Sequence, residues 1–210
     1  MPARTKLTTK EVTEIVADYG GAFPEWQIVG GDLLVRVKGP VGQAIWFDRL
    51  RTGAYRPTCR IHVLAAPDDA GGTVVLPQFL GIKTKEIIGD AHTKMLPAVI
   101  LGLKSEVVPS ILKPLDPTNV AELLCSRAAG HPAGAFALAC LWAALGRNIE
   151  ATRWIAEYHN AVQVLGLPEQ PIDRSRAAFL HEVANWVAKS ESAARMNNIV
   201  EQEKSKLLDA

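Results

Sequence analysis

Cysteine is scarce. Cys59, Cys125 and Cys140 are the three in 210 residues, and no two form a Cys-x-x-Cys pair. That excludes a disulfide framework, and each cysteine sits among apolar neighbours, as small buried hydrophobes do. Net charge is scarce too, at +1. Whole-chain charge therefore gives nucleic acid or a membrane surface no general attraction, although a local patch is not excluded. The glycine-rich phosphate loops are missing: there is no G-x-G-x-x-G and no G-x-x-x-x-G-K-[ST]. No G-x-S-x-G elbow and no H-E-x-x-H pair occurs either. No apolar region follows Met1-Pro2-Ala3-Arg4, so no signal peptide is expected.

What is present is material for a core. Hydrophobic residues make up 48% and charged residues 21%, the balance of a globular chain. The most apolar stretch, His131 to Gly146, carries no charge, and its apolar residues go round the whole helix. Such a helix is buried in a core or a membrane. It is too short for the ~20 residues that a spanning helix needs. A central rod of a helical bundle is expected, in a protein that is soluble and cytoplasmic.

Thr8 and Glu11 have the spacing of a capping box, followed by an apolar stripe at Val12, Ile15, Val16 and Tyr19 that stops at Gly20-Gly21. Four strands follow: Trp26 to Val29, Leu33 to Lys38, Gln43 to Leu50 and Thr58 to Leu64, with a further short one at Thr73 to Leu76. Short Gly- and Pro-rich turns between alternating strands predict an antiparallel meander, covered on one face by the first helix. Pro97 suits the first position of a helix that Pro109 ends. Asp116-Pro117 opens another, the rod follows, Asn148 caps the next, and Asp173 opens the last. Glu201 to Ala210 read as a solvated or frayed end. The expected fold class is α+β: an N-terminal helix plus an antiparallel meander of about four to five strands in 1–113, then an all-α bundle in 114–210. The join near Lys113 to Pro117 is stiff, and a shared core is left open.

In residues 132–165, Leu138, Gly146, the turn Arg147-Asn148, Ala151 and Ile155, with Ala135 and Ala139 at the crossing, resemble one tetratricopeptide-type helical hairpin. The resemblance implies a partner-binding groove only where several units stack. The family's early aromatic and closing proline are absent, and no second copy lies about 34 residues away. Any antiparallel pair packed through alanines fits the same residues.

Candidate chemistry is thin. His92 with Asp90 is the one histidine with a close carboxylate, either two metal ligands or a base and its orienter. The third and fourth ligands that a metal needs are not visible, and a polar loop explains the pair as well. Asp68-Asp69 lack the regular spacing of a calcium loop. A Cys125–His131 couple needs a helix end to fold back. The meander offers more. Arg36 and Lys38 alternate with Leu33, Val35 and Val37, and Arg60 and His62 with Cys59, Ile61 and Val63. If the cations share a face with Trp46, that face could bind single-stranded nucleic acid or another anion. An ordinary solvated face, with Trp46 covered by the helical half, is the alternative. On the last helix Phe179, Val183 and Trp186 widen the apolar stripe into a candidate partner or self-association surface, or close the core. The leading expectation is a non-catalytic interaction or regulatory protein with a protein partner, no membrane contact, no metal and no cofactor. Anion or nucleic-acid binding by the sheet is the alternative.

Overall fold

The structure, a computed structural model, describes residues 6–67, 78–79, 87–107, 110–128, 130–166 and 170–209. The chain is α+β, with the expected helix, meander and helical run in that order. Helix α1 spans Thr9–Ala22. Its capping box forms as the spacing predicts: the Glu11 amide donates to Thr8 Oγ1, and the Glu11 carboxylate accepts from the Thr8 amide. The helix runs through Gly20 and Gly21 and ends one residue past them, at Ala22. Its stripe of Val12, Ile15, Val16 and Tyr19 is buried.

Strands β1 (Gln27–Val29), β2 (Leu33–Lys38), β3 (Val41–Arg49) and β4 (Ala54–Val63) form the antiparallel meander. Two short strands, β5 (Gln78–Phe79) and β6 (Ile87–Ile88), both pair with β4. The strand expected at Thr73 to Leu76, and Asp68-Asp69, lie outside the described residues. A 3-10 turn, Gly89–Ala91, leads into α2 (His92–Glu106). Pro97 lies inside α2 and does not start it. The proline forfeits one backbone bond, but His92 anchors the helix five residues earlier through hydrogen bonds of its own.

The helical half follows: α3 (Pro117–Ala128), α4 (Pro132–Ala144), α5 (Asn148–Leu165), α6 (Pro171–Ala188) and α7 (Ser192–Asp209). The Asp116 carboxylate accepts from the Thr118 amide at the start of α3. Helix α4 is the expected rod. Every residue from Gly134 to Ala143 is buried, and α3, α5, α6, α7 and β4 all pack on it. Helix α7 corrects the frayed end expected beyond Glu201. It buries Ser192, Met196, Val200 and Glu203, and its polar face kept it from reading as a helix.

Both faces of the sheet are covered. Helices α1 and α2 close one face over Leu34, Ile45, Phe47, Tyr55 and Cys59. On the same face, Val41, Ile61 and Val63 continue into the core of α3 and α4, so one apolar cluster takes residues from both halves. Leu207 and Leu208 of α7 pack over the other face, against Val29, Leu33, Val35 and Ala44. A Cβ at Gly42 would come within 3.0 Å of Leu207 Cδ2, so the bare glycine lets the helix approach. No described helix is long and apolar enough to cross a membrane.

Candidate functional site

The register of the meander decides which cations meet. Leu33 pairs with Trp46, Val35 with Ala44 and Val37 with Gly42, while Ala44 pairs with Arg60 and Gly42 with His62. Directly paired residues share a face. Trp46, Arg60 and His62 therefore lie with Leu33, Val35 and Val37. Arg36, paired with Gln43, and Lys38, paired with Val41, lie on the opposite face with Ile45, Cys59 and Ile61. The five residues expected on one surface divide between two. The physical reason is that β2 is apolar on both faces, because α7 covers the second one.

Arg36 is half-buried and fully engaged. Its Nε and Nη2 donate to Gln43 Oε1 at 2.9 and 2.5 Å. Nη2 also donates to the Ser110 carbonyl at 3.0 Å, and Nη1 to those of Ile111 and Lys113 at 3.3 and 2.8 Å. The guanidinium stacks 5.0 Å from the Trp26 ring. This is an internal clamp on the segment that joins the two halves. Lys38 stays exposed at the end of its strand. On the other face the Arg60 guanidinium sits 4.3 Å over the Trp46 ring and 3.4 Å from Asp48, whose second oxygen accepts from Thr58. Trp46 is partly buried against the same apolar cluster, Val29, Leu33, Val35 and Ala44, that Leu207 and Leu208 cover.

The polar group that sequence spacing singled out, His92, is held differently from the expected pairing with Asp90. His92 is buried, and both ring nitrogens are engaged. Nε2 lies 3.0 Å from Asp18 Oδ2, Nδ1 lies 2.7 Å from the Tyr55 hydroxyl, and that hydroxyl lies 2.9 Å from the hydroxyl of Tyr19. A carboxylate only accepts, so Nε2–H donates to Asp18, and with the ring neutral Nδ1 carries the lone pair. In that tautomer Tyr55 donates to Nδ1, and Tyr19 donates to Tyr55. Three donors meet three acceptors along one direction. Burial pushes the Tyr55 phenol up to about 12 and that of Tyr19 higher still, so neither becomes a phenolate nucleophile near neutrality. Asp18 opens onto a shallow cleft of about 280 Å³ rimmed by Glu11, Glu14 and Asp90. Among the described residues no group of three or more His, Cys, Asp or Glu is arranged to hold a metal ion. The partners of His92 come from residues 74 and 37 positions away, a separation that no local motif reveals.

No family model matches the chain, and no curated protein or solved structure is significantly similar to it.

On α6, Val183 is wholly buried, so it belongs to the core. Phe179 and Trp186 are half-buried against the same core and meet edge to face at 6.0 Å, with Phe179 also against Phe136. The unpartnered apolar groups of the helical half lie instead on α5, where Ile149 is 85% exposed, Val164 76% and Leu165 48%. Ile149 falls outside the buried stripe of α5, so helical periodicity does not single it out. Cys59 and Cys140 are buried, and burial raises Cys59 to about 12 and Cys140 further, which leaves both unreactive as thiols.

Proposed function

We propose that the protein is a non-catalytic interaction protein that binds a protein partner through its helical half, on the outer face of α5. One observation carries this reading. Ile149, Arg153, Ala156, Asn160 and Val164 follow one another at helical spacing, and all are exposed. The two large aliphatics at its ends lie about 22 Å apart along the axis, at about 1.5 Å per residue. Surface hydrophobes scattered singly are ordinary, but two at the ends of one continuous stripe, beside Leu165, present a face that an amphipathic partner can cover. The groups suited to chemistry support the reading from the other side. Arg36, Trp46, Arg60 and His92 are each engaged by neighbours within the chain. Binding of an anion or nucleic acid by the sheet has weaker support, because its five residues stand on two faces.

The test is affinity capture of the tagged full chain from its native cell with mass spectrometry, beside an Ile149→Glu/Val164→Glu double variant. A partner held by the parent and lost by the double variant, with unchanged circular dichroism, supports the reading. A chain that comes down alone as a monomer carrying a small molecule overturns it.

A further inference from the structure

The turn between α6 and α7 breaks a rule that the rest of the helical half obeys. Gly130 (φ 74°), Gly146 (φ 69°) and Gly166 (φ 55°) follow α3, α4 and α5 in the left-handed region, where glycine has no Cβ to clash. After α6 the left-handed residue is Ser190, at φ 58°, the one non-glycine with positive φ among the described residues. The hydrogen bonds match those at Gly146. There the Gly146 amide donates to the Ala143 carbonyl at 3.0 Å and the Arg147 amide to Trp142 at 2.9 Å. At the second turn the Ser190 amide donates to Val187 at 3.0 Å and the Glu191 amide to Trp186 at 2.8 Å. So the same turn is made twice, once without strain and once with it.

Nothing in the sequence requires α6 to stop. The other three junctions contain glycine, and two contain proline as well, but no glycine or proline lies between Ile172 and Asp209. Glu191 and Arg195 already pair at 3.3 Å with the i, i+4 spacing that supports a continuous helix. Straightening the turn releases the strain at Ser190 and joins α6 and α7 into one helix of about 58 Å, at about 1.5 Å per residue. The seat of α7 also points outward from its own hairpin. The helix packs more extensively on α4 than on α6, and its end lies on the sheet around Gly42. A copy of α7 arriving from another chain makes the same contacts.

We infer that α7 is exchanged between two copies of this chain: each α6–α7 hairpin opens at Ser190, and each α7 fills the seat on α4 and the sheet of its partner. A strained, short hinge with an intact seat is the physical setting for such exchange. The partner is a second copy because the seat fits α7's own side chains, Met196, Val200 and Leu207, and Gly42 is shaped to Leu207. The inference concerns a different surface from the outer face of α5, and neither depends on the other.

The test uses the full chain. Ser192 Oγ donates to Asn148 Oδ1 at 2.8 Å, so cysteines at these two positions meet across the seat of α7. In a Cys125→Ser background, Asn148→Cys/Ser192→Cys protein is refolded at high concentration and oxidised, then run on a non-reducing denaturing gel. The expected result is a covalent dimer, because in the exchanged form the bond joins two chains. Monomers alone, or dimers by light scattering whose disulfides stay within one chain, overturn the inference. A second measurement needs no new cysteine. Ser190→Gly removes the strain of the closed turn and disfavours the straight helix, so the dimer association constant falls about 25-fold, about fivefold at each hinge. Ser190→Ala, a better helix former, raises it. Equal association of the two variants overturns the inference as surely as the gel.

Discussion

Two hairpins make up most of the helical half, and they treat the same task differently. In α4–α5 the first helix is buried from Gly134 to Ala143, and a glycine makes the turn. In α6–α7 the first helix buries only Leu180 and Val183 fully, and a serine makes an equivalent turn. The first hairpin is built around a helix that has nowhere else to go. The second lies on the surface of that assembly, and its last helix reaches past its neighbour to the sheet. Hairpins with matching turn hydrogen bonds are thus expected to open at very different cost, because burial and backbone strain differ between them.

The comparison is sharpest where a charge is placed in each hairpin. Ala139→Asp, deep in α4, is expected to cost several kcal/mol and to unfold the helical half, since an unpaired carboxylate enters an apolar core. Ala194→Asp, on the exposed side of α7, is expected to fall within about 0.5 kcal/mol of the parent. Urea unfolding followed by circular dichroism measures both. A soluble, fully helical Ala139→Asp protein shows that α4 is not the interior rod.

An intermediate effect is expected from Met196→Ala, which empties a fully buried position of α7. It should cost about 2–3 kcal/mol by the same urea assay, at the lower end for large-to-small changes in a core. A loss near zero means that α7 holds its seat through something other than its apolar stripe, and the contrast between the hairpins then widens. A smaller loss than that of Met196→Ala is expected from giving the first turn the residue of the second. Gly146→Ser places a side chain at φ 69°, with ordinary room beside Ala193 Cβ at 3.7 Å, and is expected to cost about 1–2 kcal/mol through backbone strain alone. If the melting transition does not move, the two turns are equivalent and Ser190 carries no strain.

The elements of the fold were largely readable in the residues, and the faces were not. The capping box at Thr8, the strand Leu33–Lys38, the buried rod and the glycine turn at Gly146 all announce themselves locally. Leu33-Leu34-Val35, by contrast, is apolar at three successive positions, so alternation alone does not choose which side of β2 faces α1. The choice depends on α7, far later in the chain, whose few apolar residues keep helical spacing but are outnumbered by polar and charged ones. The same distance hid the site chemistry. Arg36 reads as a surface cation until the carbonyls of residues 110–113 are placed around it, and Asp90 is the nearest carboxylate to His92 in sequence while Asp18 is the one on its Nε2. Pro97 misled in the opposite direction, since a strong local preference was overridden by the hydrogen bonds that begin α2 early.

The Arg36 clamp has a consequence for the order in which the molecule is made. Its bonds to Ile111 and Lys113 span 75 and 77 residues of chain, and its orientation depends on Gln43 across the β2–β3 pair. Closing a loop that long is slow and entropically costly unless one end is already rigid. The sheet must therefore be paired before the clamp can engage. Once engaged, the clamp holds the segment ahead of α3 against the meander, so one guanidinium ties the start of the bundle to the sheet.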